Sequence, residues 1–169
     1  MSRFKRSALS MSMTTSAPQL HTQPATTDDA PRIFALYCGA PRYFELLSAP
    51  LPTLPEVERE LEAAAQDPKR CTELLCEDGR TVGYLDYKLD YPEPGDATVN
   101  LLLIPEALQS RGYGRRSMGL LEASLRGRAT RVLASVYGSN VRAKRFWHSL
   151  GYHFAIDARP ILEWYAKEL

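Results

Sequence analysis

Three features of the chain predict an α/β layered fold. Two helix-start signals, Thr26-Thr27-Asp28-Asp29-Ala30-Pro31 and Thr53-x-x-Glu56, lie in the first third. An Asp78-Gly79 turn between two β-prone runs marks an antiparallel hairpin mid-chain. Two strand-then-helix units follow, entered through Gly112-Tyr113-Gly114 and through Ser139-Asn140. Helices early, antiparallel strands in the middle and a βαβα unit late place helices against a mixed, mostly antiparallel sheet.

Each element has a local reason. A short strand is expected at Leu20–Ala25, ahead of a helix opened by hydroxyl cap candidates, acids in its first turn and an early proline. Ile33, Leu36 and Tyr37 repeat at helical spacing until Gly39 stops them. Pro41 to Leu47 is a short aromatic segment, and prolines 50, 52 and 55 mark a loop. The capping box at Thr53 opens a helix carrying Val57, Leu61 and Ala64, which ends at Asp67-Pro68. The hairpin strands span about Cys71–Glu77 and Thr81–Tyr91, and the next strand about Ala97–Ile104. In that strand Leu101 and Leu103 face one way and Leu102 and Ile104 the other, so it is central, with helices above and below. A helix then runs from Gly114 to near Gly127, followed by a strand at Val132–Tyr137 and a helix from Asn140 to Leu150, stopped by Gly151. Tyr152–Ile156 and Ile161–Tyr165 finish as strands, the last with a spacing that also fits a helix. Seven strands result.

Composition narrows the function classes. The chain of 169 residues is 44% apolar and 24% charged, as an ordinary globular protein is. Arg3, Lys5 and Arg6 are the only Lys, Arg, Asp or Glu before Asp28, and residues 28–169 carry 18 basic against 20 acidic side chains. A body this near neutral has no electrostatic footprint for nucleic acid. No apolar stretch approaches the roughly 18 residues of a membrane span. Three cysteines, Cys38, Cys71 and Cys76, make no Cys-x-x-Cys pair and suit a reducing, cytoplasmic setting rather than a disulfide framework. Cys71 and Cys76 point to opposite faces of their strand. Residues 1–17, basic and Ser/Thr/Met-rich, read as a disordered tail or a misassigned start with initiation at Met11 or Met13. Residues 18–169 are then one domain.

The most informative segment is Val99 to Arg116. A strand, a glycine turn and a helix start, in that order, make an anion site: the first helical amides have no intrahelical partner and point forward. Gly112 and Gly114 allow close backbone approach to a polyphosphate, and Arg111, Arg115 and Arg116 add charge. The expected ligand bears a pyrophosphate.

The whole succession resembles the GNAT superfamily of acyl-CoA-dependent N-acetyltransferases. The likeness is carried by Gln109-x-x-Gly112-x-Gly114 behind a central strand and by Asn140-x-x-Ala143-x-x-Phe146-Trp147-x-x-x-Gly151-Tyr152. The approach to the first helix, Ala25 to Ala30, is a weaker third match. The resemblance implies a sheet whose central strand splays from its parallel neighbour, opening a cleft for acetyl-CoA. Amides from Ser110 through Arg111, Gly112, Tyr113 and Gly114 to Arg115 would hold the pyrophosphate. Backbone groups of Leu102 and Ile104 would be free for pantetheine, with Asn140, Phe146 and Trp147 on the other side. Tyr43, Phe44 and Glu45 would roof the acceptor pocket, aromatics beside an acid suiting a cationic amine. A small-molecule or protein amine is the implied acceptor, no metal is called for, and a homodimer is compatible.

Acetyl transfer needs a proton acceptor for the ammonium, an oxyanion donor and a proton for the thiolate. The position where many relatives place a glutamate base is Thr98, which cannot serve. Asn100 lies two residues on and can orient a substrate but not take its proton, and Asp86, in the preceding strand, is the carboxylate expected to face the same cleft. The usual tyrosine acid is replaced by Trp147, leaving Tyr137 and Tyr152 as substitutes. His148 and His153 lack a partnering ligand cluster and read as structural. These gaps keep a second reading open, an acyl-CoA-binding sensor or scaffold with little catalysis. A Rossmann-type nucleotide site fits worse, because the glycine loop follows a hairpin instead of the first strand of a parallel sheet.

Overall fold

The computed structural model describes residues 19–158 and 162–169; residues 1–17 and Ile161, both subjects of expectations above, lie outside these. The chain runs β1 (His21–Pro24), α1 (Ala30–Cys38), α2 (Pro41–Leu46), α3 (Leu54–Gln66), β2 (Arg70–Glu77), β3 (Arg80–Leu89), β4 (Asp96–Leu103), α4 (Tyr113–Leu125), β5 (Arg131–Tyr137), α5 (Val141–Ser149), β6 (His153–Ala158) and β7 (Leu162–Glu168). Seven strands form one sheet in the order β1-β2-β3-β4-β5-β7-β6, antiparallel except for the pair β4–β5.

The local signals act as their chemistry requires. Thr26 N–H and Oγ1 donate to Asp29 Oδ2 at 2.9 and 3.1 Å, and Thr53 N–H and Oγ1 donate to Glu56 Oε2 at 2.7 and 2.8 Å. Pro55 sits in the first turn of α3 rather than in the loop before it, where its missing N–H costs nothing. Asp78 and Gly79 both have positive φ, 51° and 73°, as a two-residue hairpin turn demands. β3 ends at Leu89, earlier than the apolar run suggests, because Asp90 turns left-handed at φ 49°. The ambiguous last segment is a strand, since β7 pairs along its length with β5 and from Leu162 to Ala166 with β6. Sheet pairing outweighs its helical spacing.

Two cores sandwich the sheet. On one face Ile33 and Leu36 of α1 and Val57 and Leu61 of α3 pack with Leu74, Cys76, Tyr84 and Leu103. On the other, Met118, Leu121 and Leu125 of α4 and Trp147 of α5 pack with Leu75, Leu85, Val99 and Val132. Leu101 joins the first core and Leu102 and Ile104 the second, so β4 is apolar on both sides because it lies between two helical layers. Fully buried aliphatic side chains such as Leu74, Leu75 and Leu85 each contribute about 1.5–3 kcal/mol. Cys71 and Cys76 fall in different cores, on opposite faces as alternation requires.

One irregularity creates the site. β4 and β5 pair only from Asp96↔Arg131 to Val99↔Ala134, while β5 continues alongside β7 to Tyr137. At the same point the β3–β4 register jumps from Tyr87↔Val99 to Asp86↔Leu101, leaving Asn100 as an extra residue. A bulge bends its strand, and past Asn100 β4 leaves its parallel neighbour. At the closed end Arg131 Nε and Nη2 grip Asp96 Oδ1 and Oδ2 at 2.8 and 2.7 Å, fixing where the two strands part.

Candidate active site

The wedge between β4 and β5 opens onto the glycine turn. After β4 the chain makes a 3-10 turn at Glu106–Leu108, then Ser110 and Gly112 adopt left-handed conformations at φ 62° and 83°. Gln109 Nε2 donates to the Ile104 carbonyl at 2.8 Å and holds the turn to the end of the strand. The first acceptor in α4 is the Gly112 carbonyl, bonded by Arg116 N–H at 3.0 Å. The amides of Tyr113, Gly114 and Arg115 therefore have no intrahelical acceptor and stand at the positive end of a 13-residue helix.

The two glycines serve different ends. A Cβ on Gly112 would meet nothing within 4 Å, so that residue faces open space and needs its glycine for the positive φ. A Cβ on Gly114 would come within 3.1 Å of the Phe146 ring. Gly114 thus lets α4 lie against α5, a packing role where close approach to the ligand was expected.

In front of the turn is a cavity of about 680 Å³, walled by Leu102, Ile104, Gln109, Ser110, Gly112, Tyr113, Gly114 and Arg115 on one side and Asn140, Phe146 and Trp147 on the other. Of the residues expected at the cofactor, Arg111 and Arg116 are missing from this wall. Arg116 is committed elsewhere: its Nη1 donates to Glu77 Oε1 at 2.6 Å, and its guanidinium lies over the Tyr113 ring, 4.8 Å from the centroid. The Ile104 carbonyl already accepts from Gln109, so that group is not wholly free for a ligand. The cationic part of the wall is instead Arg42, Arg115 and Arg142, with Arg142 Nη2 reaching Ser110 Oγ at 3.3 Å. Sequence reasoning missed Arg42 and Arg142. The signal for Arg142 was present, because it lies in the first turn of the helix that Asn140 caps by accepting Ala143 N–H at 2.9 Å.

A second cavity of about 620 Å³ adjoins the first. Tyr37, Tyr43, Phe44, Glu60, Arg70, Asp86, Asn100 and Leu101 are among its walls, and Tyr43 of α2 lines both cavities. Burial, then the neighbouring Tyr137, pushes the Tyr43 phenol up to about 12, so it is neutral at ordinary pH. Glu45 is exposed and lines neither cavity, which removes it as the roof's acid. Its place on the short helix α2 turns it outward while Phe44 packs in.

Two catalytic expectations change. Asp86 does face this second cavity, yet its Oδ1 accepts from Arg70 Nε at 3.2 Å and Asn100 Nδ2 at 3.3 Å. Its Oδ2 accepts from Arg70 Nε at 3.2 Å and Nη2 at 2.5 Å. A carboxylate offers about four lone-pair sites, and four contacts from three N–H groups, with Arg70 Nε–H shared between both oxygens, leave none open to take a proton in this arrangement. The same bonds push the Arg70 guanidinium above its ordinary range, with Asp86 the larger cause and Glu60 the lesser. Tyr152 is also excluded as the missing acid: it is fully buried, its hydroxyl donates to Glu122 at 3.0 Å, and burial raises its pKa. Trp147 packs edge-to-face between Phe146 and Tyr152, each ring centroid 5.0 Å away. Thr98 is buried and spends its hydroxyl on the Tyr91 carbonyl at 2.5 Å. The His148 and His153 rings pack at 6.0 Å, and among the described residues no group of three or more His, Cys, Asp or Glu is placed to hold a metal.

A splayed parallel pair, a helix start with free amides and an open glycine beside a 680 Å³ cleft have the chemistry to hold a diphosphate and an amide-rich arm. The sequence profile described as the Acetyltransferase (GNAT) family matches residues 33–152, and the chain belongs to that family. It is an acyltransferase that uses acetyl-CoA. Among solved structures, an acetyltransferase from Thermus thermophilus is 43% identical with a TM-score of 0.86, over 89% of this chain and 97% of the other. An aminoglycoside acetyltransferase in complex with coenzyme A and kanamycin shares the fold at 16% identity and a TM-score of 0.75, over 89% and 95% of the two chains. An acetyltransferase from Salmonella typhimurium that modifies the N-terminal serine of ribosomal protein L7/L12 does so at 15% and 0.77, over 91% and 96%. No curated protein matches the chain in sequence.

Proposed function

We propose that the protein moves the acetyl group of acetyl-CoA to a primary amine by direct attack while both substrates are bound. The observation that carries this reading is the meeting of two cavities at Tyr43: one walled by unpaired helix amides, the other by aromatic rings and a polar cluster that ends at Asn100 of β4. Pyrophosphate would lie against the amides of Tyr113, Gly114 and Arg115, with Arg115 and Arg142 beside it. Pantetheine would run along the β4 edge beyond Val99, where no strand competes for the backbone groups. A β4 amide near Leu102 would donate to the thioester oxygen as it becomes an oxyanion.

In the transfer, the amine lone pair attacks the thioester carbon, the C–S bond breaks, and the amine's surplus proton ends on the coenzyme thiol. With Asp86 saturated, the acceptor reacts as the free amine and the rate climbs with pH along the amine's own titration. Loss of a general acid or base costs about 10²–10⁴ in rate, which a thiol of pKa about 8.5 as leaving group partly offsets. Two acetyltransferases of the same fold are described with an aminoglycoside and with a protein N-terminal serine, which supports an amine acceptor of small-molecule or protein origin. Three free cysteines support a reducing, cytoplasmic setting.

The saturated Asp86 and the indole at Trp147 favour one rival, a module that binds acyl-CoA without turning it over. Calorimetric titration with acetyl-CoA and thiol release across an amine library separate the two. Absence of binding at several hundred micromolar removes both readings, and binding without amine-stimulated release leaves the rival.

A further inference from the structure

We infer that Asn100 is the acceptor-binding residue, presenting its side-chain oxygen to the incoming amine, and that Asp86 is the positioning residue that dictates which end of the Asn100 amide faces the cavity. This rests on the amine-acetyltransferase reading above.

Hydrogen-bond polarity decides the orientation. A carboxylate held by a guanidinium accepts hydrogen bonds and donates none. Asp86 is 4% exposed and fixed by three contacts from Arg70, which is itself tied to Glu60 at 2.5 Å. Its remaining site, on Oδ1, faces Asn100 at 3.3 Å. Asn100 can answer only with Nδ2, so its Oδ1 is the outward end. Asn100 is exposed and lines the second cavity beside Tyr37 and Tyr43. An amide oxygen there is an acceptor for N–H.

Its place on the strand suits that task. As the extra residue of the β4 bulge, Asn100 sits where the strand leaves β5, two positions before Leu102 of the cofactor cleft. Two strand residues span roughly 7 Å, short enough for an amine held at Asn100 to reach a thioester beside Leu102. The cluster Glu60–Arg70–Asp86–Asn100 therefore runs from the rim of α3 to the reacting edge, each member setting the orientation of the next.

Reversing that polarity tests it. In Asp86→Asn, Arg70 still requires an acceptor, so the new amide turns its oxygen to the guanidinium and its N–H to Asn100. Asn100 must then flip and offer N–H to the amine. The amine KM should rise at least tenfold, while the acetyl-CoA Kd from calorimetry stays within twofold of wild type. Adding Asn100→Asp restores an acceptor pair: the amide at 86 donates to the carboxylate at 100, whose second oxygen faces the cavity. The double variant should bring the amine KM back to within about threefold of wild type.

A merely structural Asp86 predicts no such rescue. An Asp86→Asn variant with unchanged amine KM, a loss confined to kcat, or a double variant as impaired as the single overturns the inference. If Asp86→Asn does not fold, Asn100→Leu at the exposed position gives the same reading: a raised amine KM supports the assignment and an unchanged one removes it. Should the wild-type enzyme turn over no amine at all, the acetyltransfer reading fails first, and that result is distinguishable because it precedes any variant.

Discussion

The two cavities that meet at Tyr43 are built on opposite plans. The side proposed for the cofactor relies on main chain: free amides of α4, the left-handed Gly112 and an unpaired strand edge. The side proposed for the acceptor relies on side chains, with Arg70, Asp86 and Asn100 locked in one hydrogen-bonded chain among aromatic rings. Main-chain recognition depends on turn geometry and tolerates varied neighbours. Side-chain recognition depends on each partner's identity. The first should break when the backbone is perturbed, the second when one polar group is exchanged.

The largest effect is expected on the acceptor side. Arg70→Ala leaves Asp86 buried without its cation, and removing one partner of such a pair costs about 3–5 kcal/mol. Urea denaturation should show a loss of that order, with acetyl-CoA affinity largely retained below the transition. Equal damage to both sides would mean the cavities are not separable units.

Next is the cofactor side. Gly112→Val places a β-branched residue at φ 83°, a region costing L residues roughly 1–2 kcal/mol or more, and projects a side chain into the space before the free amides. Acetyl-CoA should bind about 100-fold more weakly by calorimetry, roughly 2.7 kcal/mol. A variant that binds normally would show that the turn does not hold the pyrophosphate.

Smaller differences should sort the arginines. Arg142→Ala and Arg115→Ala should each weaken acetyl-CoA about five- to tenfold, on the order of 1 kcal/mol. Arg116→Ala should stay within about twofold, because Arg116 is bound to Glu77 outside the cleft. Equivalent losses in all three would return Arg116 to the phosphate site.

The smallest effect concerns the residue that the cavities share. Tyr43 is raised by burial to about 12 in the folded protein, against about 10 unfolded. Below pH about 10 both states are protonated and the stability from this group is fully present. Between about 10 and 12 the unfolded state ionises first, so stability falls as pH rises. Melting temperatures across that window should decline, and Tyr43→Phe should make the decline shallower. An unchanged slope would place Tyr43 in water.

The same contrast governs what could be read from sequence. Capping boxes at Thr26 and Thr53, the Asp78-Gly79 hairpin, and the Gln109-x-x-Gly112-x-Gly114 turn are short-range codes, and each forms where its residues lie. The acceptor side was partly hidden because its contacts join distant segments. Arg70 meets Asp86 across β2 and β3, and only the full register shows that pairing saturates the carboxylate. Glu45 and Arg116 misled for a related reason: proximity in sequence to a functional turn says nothing about which way a helical side chain points. The role of Gly114 required Phe146, 32 residues away, to be in view.

The Asp96–Arg131 clamp has a consequence for how the coenzyme arrives. The width of the wedge is set by bonds within the protein: the ion pair pins the strands at one end and the bulge bends them apart. A cleft framed in this way calls for little ordering on docking. Capture should behave as a single encounter-limited step, with no slow isomerisation trailing behind it in stopped-flow records.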